Sequence, residues 1–456
     1  MKSFNRVTMR CSIAVLLCLA AAACSNQSGT VGADSATSST AATQSASTPA
    51  TTFGDLPSPC GPGSAKIADG ENGGSTLKLG TANDHGADVA PGTTEELLDA
   101  ATAFAKWCNA QGGIEGLKIE SVDLDGKLFQ VPAAIERACS TVFAMVGGGW
   151  VFDQQQFPRF AQCKMVSFPG NVTSTQASRD PNTVQGVPSS NVLMPYGWWQ
   201  WAADTHAQDV KKTAIIYAED PSIATFRDGI LQQMAYVGIK DVKQLSYALT
   251  GEANWAPFAQ SLKASGIQAV TFIGSAGNYA LLAKAMTEIG YKPDLVLNAA
   301  NFYSDLLVQP GNVANVEGMY VQTIFAPFQE AGKSKALQDY EKMMSTYNPK
   351  GLKAQLGMSA TSALLLAATA AKACILSNAN VLERRCMVVA ARKITSWTGG
   401  GLHAASDPAT GSPPKCVAIL QVKDGKWVRV FPQLGSADDS GNGYHCYDPG
   451  LLKLAK

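Results

Sequence analysis

The chain has 456 residues, with 36 Lys plus Arg against 36 Asp plus Glu and an isoelectric point near 6.9. That balance gives no electrostatic case for a nucleic-acid partner, whose binders carry a basic face. No C-x-x-C or H-E-x-x-H is present and the four histidines (His85, His206, His403, His445) are scattered, so no metal is expected. The chain also lacks G-x-S-x-G, G-x-x-x-x-G-K-[ST] and a strand-linked G-x-G-x-x-G, and neither an enzyme nor a cofactor site is expected.

Lys2, Arg6 and Arg10 precede an apolar run at residues 12–23. The run is too short for a resident bilayer span, which takes about 20 apolar residues. Small residues lead directly to Cys24, and polar Ser25-Asn26-Gln27-Ser28 follow. The pattern resembles a bacterial lipoprotein signal, with Ala21 where Leu is usual. The resemblance implies that residues 1–23 are removed, that Cys24 is lipidated, and that the mature protein is anchored at Cys24 in the cell envelope, outside the cytoplasm. An ordinary secretory signal cut near Ala23 is the alternative, with the same extracytoplasmic location. Residues 24–59 are dominated by Ser, Thr, Ala, Gln, Gly and Pro. Such a segment has too little apolar surface to offset the entropy of ordering and is expected to be a flexible tether.

Of eleven cysteines, Cys11 and Cys18 leave with the leader and Cys24 carries lipid, which leaves eight. An even number in an exported chain argues for disulfides, and eight cysteines allow 105 pairings. The expected set is Cys139–Cys163, Cys374–Cys386 and Cys416–Cys446, which leaves Cys60–Cys108.

From residue 76 the chain alternates short β-rich runs with helical patterns. Residues 76–80 read as a strand and 84–92 as a loop. Thr93 with Glu96 offers a capping box for a helix whose stripe is Leu97, Ala101, Phe104 and Cys108. Gly112-Gly113 stops it, and residues 117–122 form the next strand. The pattern repeats with a helix at 133–141, a strand at 142–146, a turn at Gly147-Gly148-Gly149, a helix ending near Cys163, and a strand at 164–168 closed by Pro169-Gly170. Further strands are expected at 213–217, 268–273 and 295–298, and an Ala-rich buried helix at 360–376. Residues 417–431 read as two strands around Asp424-Gly425, a hairpin signal. This alternation implies α/β architecture with parallel sheets, whose ligands bind at the carboxyl ends of the strands.

Order and spacing together are similar to the type I periplasmic binding proteins, in the leucine/isoleucine/valine-binding branch that serves ABC importers. The residues that carry the resemblance begin with Leu77-Lys78-Leu79-Gly80, the loop Gly86…Pro91-Gly92, and Trp107-Cys108-Asn109-Ala110-Gln111-Gly112-Gly113-Ile114. They continue with Asp123, Met165-Val166-Ser167-Phe168-Pro169-Gly170, Thr213-Ala214-Ile215-Ile216-Tyr217, and Gly266-Ile267-Gln268-Ala269-Val270. The resemblance covers residues 76 to 435. It implies two Rossmann-like lobes joined by three hinge crossovers near 188–194, 322–327 and 394–401. The N-lobe would take 60–192 and 326–395, the C-lobe 193–325 and 396–447, and a tail 448–456. Its implied partners are a small-molecule ligand held between the lobes and the permease subunits of an importer. The chain would work as a monomer that touches the membrane through its lipid only. A sensor that presents its closed state to a receptor and a non-binding scaffold are the alternatives.

In the amino-acid-binding relatives, N-lobe hydroxyls and N–H groups hold the ligand carboxylate and a C-lobe acid holds the ammonium. Here Trp150 and Phe152 occupy the first N-lobe position, with Asn171 and Thr173 at the second; packing beneath the loop is the alternative for the two aromatics. On the C-lobe side the candidates are Ser275, Asn278, Asn301 and Phe302, with no acid before Asp305. A buried ammonium without a carboxylate is poorly compensated. The expected ligand is therefore a larger apolar, aromatic or amide compound and not a simple zwitterionic amino acid. Asp84 and His85 read as an exposed loop pair, and Asp123-Leu124-Asp125-Gly126 as a turn.

Overall fold

Alternating inward residues Leu77 and Leu79 open the first strand, β1 (Thr76–Asn83), which becomes buried on both faces toward its end. In the computed structural model, which describes residues 51–455 except 73, 178, 190 and 191, it is followed by α1 (Glu95–Ala110), β2 (Lys118–Asp125), α2 (Val131–Thr141), β3 (Ala144–Val146), α3 (Gln156–Gln162) and β4 (Ser167–Phe168). The leader, Cys24 and the tether up to residue 50 lie outside the described residues. The four strands form one parallel sheet in the order β2-β1-β3-β4. The α1 stripe of Leu97, Ala101, Phe104 and Cys108 is buried, as its spacing predicts. The capping box does not form. Thr93 Oγ1 instead donates to Ala90 O at 2.6 Å, the helix starts at Glu95, and Thr94 stands at φ 58° as its N-cap.

The second sheet is built from β5 (Thr213–Ala218), β6 (Val242–Tyr247), β7 (Ala269–Ile273), β8 (Leu295–Asn298), β9 (Tyr320–Thr323), β10 (Cys416–Lys423) and β11 (Lys426–Phe431), in the order β6-β5-β7-β8-β9-β10-β11. It is parallel as far as β9; β10 and β11 close it as an antiparallel hairpin around Asp424-Gly425. One face is covered by α4 (Gly197–Thr205) and α5 (Pro221–Tyr236), and there Trp198, Trp199 and Trp201 all join the core. The other face is covered by α6 (Ala256–Ala264) and α7 (Ala276–Glu288), through Leu262, Leu282 and Met286. The chain then returns to the first lobe, where α8 (Lys335–Tyr347) and α9 (Gln355–Ser377) pack on α1 and α10 (Arg384–Ala391) packs on α9. By length and composition α9 could cross a membrane, yet Met358, Leu365, Leu366 and Ala371 are fully buried in the fold.

All four expected disulfides are closed. Cys60–Cys108 ties the N-terminal segment to α1, and Cys374–Cys386 ties α9 to α10. Cys139–Cys163 joins α2 to the end of α3. Cys416–Cys446 holds the short strand His445–Cys446 against the start of β10. The closing segment is not a loose tail: Leu451–Lys453 pairs antiparallel with Leu193–Pro195.

The expected tether ran to residue 59, and the structure ends it earlier. Thr52–Phe53 pairs with Leu56–Pro57, and Phe53 is fully buried with its ring edge-on to Trp107 at 5.7 Å. Gly54 N donates to Asp339 Oδ2 at 2.8 Å. One aromatic ring seated on α1 supplies the apolar contact that a Ser/Thr-rich composition lacks on average.

The second and third crossings run side by side. Ala404 N donates to Ile324 O at 2.8 Å and Ala326 N to Leu402 O at 2.9 Å. Between them His403 is buried, with Nδ1 2.8 Å from Ala404 O and Nε2 2.7 Å from Ser362 Oγ of α9. The carbonyl requires the proton on Nδ1, so Nε2 accepts from Ser362, whose oxygen accepts in turn from Trp397 Nε1 at 2.9 Å. The neutral ring thus links both crossings to α9. Burial pushes its pKa down to about 4, against a partial rise from the Ala404 carbonyl.

Two outcomes are expected. Phe53→Ala lowers stability by about 3–5 kcal/mol in urea denaturation, the cost of removing a buried ring, whereas a residue of a free tether would cost nothing. His403 has a folded pKa below its unfolded value of 6.5. Its contribution is therefore complete above that pH and lost as pH falls from there through about 4. Wild type loses about 3 kcal/mol more than His403→Gln between pH 7 and pH 4, read from denaturant midpoints; equal losses would place the titration elsewhere.

Candidate functional site

In an open parallel sheet the loops diverge where strand order reverses, leaving a crevice beyond the carboxyl ends. In the first sheet that point lies between β1 and β3, and in the second between β5 and β7. The loops that leave these strands carry the site. They meet across the lobes: Phe152 packs with Ala87 and Leu128 of the first lobe, and Leu249, from the loop after β6, packs against that cluster.

Two buried carboxylates shape the first lobe's loops. Asp84 follows β1 and is fully buried; its Oδ1 accepts from Leu128 N and its Oδ2 from Val151 N, both at 2.7 Å. Its own N–H donates to Thr94 Oγ1 at 3.0 Å. Burial pushes the Asp84 carboxyl up from its ordinary value, and the two N–H bonds hold it partly down. Asp153, also buried, accepts from Thr173 N and Ser174 N at 2.9 Å each. Burial raises its pKa too, against those bonds. Gly148 comes so close to β1 that a Cβ there would stand 2.1 Å from Ala82 N, and so the turn after β3 needs glycine. Gly170 N donates to Gly148 O at 2.9 Å, and Ser359 Oγ of α9 donates to Gly170 O. Beside Gly149 and Pro169, Asn171 lines a cavity of about 10 Å³, room for a single water.

On the second lobe, Ser275 caps α7 by accepting from Asn278 N at 3.2 Å. Asn301 is exposed and its Nδ2 donates to Gly274 O at 3.2 Å, which joins the loops after β7 and β8. Asn278 stands beside Gly251, whose Cβ would meet Asn278 Oδ1 at 2.6 Å. Asn298 is buried and committed to the sheet: its Oδ1 accepts from Phe272 N at 2.9 Å. Three acids lie along this edge: Glu219 accepts from Ser246 Oγ, Asp220 Oδ1 from Ile223 N at 3.4 Å, and Glu252 from Ala248 N.

Ser275, Asn278 and Asn301 therefore gather at the second lobe's strand ends, and Phe152 and Asn171 at those of the first. Three expected contacts belong elsewhere. Trp150 is fully buried among Leu124, Val131 and Phe160, with Nε1 donating to Leu124 O at 2.8 Å; the glycine turn swings the ring beneath β2. Phe302 is buried edge-on to Tyr279 and Phe272. Thr173 spends its N–H on Asp153 and its hydroxyl on Val151 O at 2.7 Å, which makes it a brace of the loop. Asp84 is likewise no exposed loop residue. Sequence reading missed Asp84 and Asp153 as organisers; the only signal was an acid directly after a strand or before a short helical turn.

The periplasmic binding protein family matches residues 76–426. No curated protein matches the chain by sequence. Among solved structures, the chain is similar to a fatty acid ABC transporter substrate-binding protein from Thermomonospora curvata, at 19% identity over 81% of this chain and 93% of that one, with a TM-score of 0.63. It is also similar to the branched-chain amino acid transporter substrate binding protein of Streptococcus pneumoniae in complex with isoleucine, at 15% identity over 78% and 100% of the two chains, with a TM-score of 0.63. A possible leucine/isoleucine/valine-binding protein from Rhodopirellula baltica gives a TM-score of 0.65 at 13% identity over 78% and 96%. Those likenesses carry the two-lobed fold, and the family match spans most of the described residues: the chain belongs to the periplasmic binding protein family.

Proposed function

We propose that this protein captures a larger apolar, aromatic or amide compound between its lobes and delivers it, as a monomer, to the permease subunits of an ABC importer. It does so outside the cytoplasm, lipid-anchored at Cys24. The lobes are those bounded at 60–192 with 326–395 and at 193–325 with 396–447, the N-terminal one extended back to Thr52. Ligand contact with both lobes favours the closed state, which is the form an importer recognises.

One observation carries the ligand class: the second lobe presents Ser275, Asn278 and Asn301 where an α-ammonium would need a carboxylate. The nearest side chain of the preceding strand, Asn298, is already committed to Phe272 N, and Asp305 begins a helical turn farther on. An ammonium placed there would lose its hydration without gaining an opposite charge. Amide and hydroxyl groups suit a neutral polar group, while Phe152 and Leu249 offer apolar contact. The fold holds both kinds of cargo elsewhere, since one similar structure is named for a fatty acid and another contains isoleucine.

A thermal-shift panel of amino acids, amides, aromatic compounds and sterol acids, on the body from Pro49 onward under oxidising conditions, tests the reading. A ligand at 100 times its dissociation constant adds about 2.7 kcal/mol of stability. The expected hit is an amide or a large apolar compound, and Asn301→Ala weakens it about tenfold, the loss of one hydrogen bond of about 1.4 kcal/mol. Hits confined to free α-amino acids would refute the ligand class, and an unchanged affinity in Asn301→Ala would refute the site.

A further inference from the structure

A second cavity, of about 540 Å³, lies under α7, on the side of the second lobe away from the strand ends that form the site above. Its volume is in the range of small-molecule sites. Tyr279, Ala283, Met286 and Thr287 of α7 line it. Their spacing places them on one helix face. Val296 and Met319, at the starts of β8 and β9, stand opposite. From Tyr279 to Gly290 the cavity follows the helix for about 16 Å at 1.5 Å per residue. Its mouth is at the amino-terminal edge of the sheet, among Lys292, Asp294 and Glu317.

Tyr279 closes the inner end. It is 1% exposed, and its ring stands between Phe272 and Phe302. Burial alone pushes its pKa up, so the hydroxyl keeps its proton and stays a donor. A phenol in the wall of a cavity is a donor that an acceptor entering the cavity can take. The wall between Tyr279 and the mouth is apolar, from Ala283, Met286, Val296 and Met319. At the mouth, both carboxylate oxygens of Glu317 accept backbone N–H groups of the Asp424-Gly425 turn, at 2.8 and 3.2 Å. Lys292 there faces two carboxylates, Asp294 and Glu317, a net single negative charge that disfavours an anionic ligand.

We propose that the α7 cavity is a second ligand site, for an uncharged elongated molecule with an apolar body and a hydrogen-bond acceptor that reaches the Tyr279 hydroxyl, such as a long-chain alcohol or amide. It is separate from the site between the lobes, although its inner end backs onto Phe302, the neighbour of Asn301. The order of chemistry along the cavity sets the orientation: acceptor inward, chain along Met286 and Met319, far end toward Lys292 and Asp294.

The test is isothermal titration of the full chain with 1-decanol, comparing wild type with Tyr279→Phe, Ala283→Leu and Asn301→Ala. The expected result is saturable binding at one site. Tyr279→Phe, which keeps the ring, weakens it about tenfold, the loss of one hydrogen bond. Ala283→Leu, which fills the cavity, abolishes it, and Asn301→Ala leaves it unchanged. Circular dichroism checks that Ala283→Leu folds; if it does not, Tyr279→Phe decides. No saturable binding, affinity unchanged in Tyr279→Phe, or affinity lowered by Asn301→Ala would each overturn the proposal, the last by placing decanol between the lobes.

Discussion

Asp84 cannot sit at the end of β1 without donors, because an ionised carboxylate removed from water costs several kcal/mol unless hydrogen bonds replace the lost hydration. The chain meets that requirement from two directions, with Leu128 N of the loop after β2 and Val151 N of the loop after β3. The second of those loops is then held by Asp153, which takes the N–H groups of Thr173 and Ser174 from the loop after β4. All four loops at the first lobe's strand ends are thereby fixed to one another through two acids.

The second lobe reaches the same end without a buried acid. Its loops are joined by neutral groups: the Asn301 amide on Gly274 O, the Ser275 cap on α7, and the Tyr247 hydroxyl on Ile273 O at 3.2 Å. The acids on this edge, Glu219, Asp220 and Glu252, are exposed or half-buried, and each accepts a hydrogen bond.

Between the lobes the crossings form a short antiparallel ribbon, and His403 turns that ribbon into part of α9's surroundings through Ser362 and Trp397. The neutral imidazole, donor at one nitrogen and acceptor at the other, suits the place because each of its polar atoms has a partner. Gly399, at φ 61°, approaches the pair so closely that a Cβ there would stand 2.9 Å from Ser362 Oγ.

The amino-acid pattern alone specifies the strand–helix alternation, the parallel sheets, the β10–β11 hairpin and the buried stripe of α1. These follow from periodicity and turn chemistry, which act over a few residues. The order and spacing of those elements pointed to the family, and the four disulfide pairs agreed with the even set of cysteines. The roles of individual side chains at the strand ends emerge in the folded chain alone. Trp150 and Phe152 are two residues apart in one loop, yet one is buried among Leu124, Val131 and Phe160 and the other joins Ala87 and Leu128. Asp84 and Asp153 look like surface acids until the loops that donate to them are brought together across 44 and 67 residues for the first and 20 and 21 for the second. Phe53 looks like part of a tether until α1 supplies a surface for it. Local pattern gives the elements, but burial and hydrogen-bond satisfaction at a loop depend on partners distant in the chain, and no window of sequence contains them.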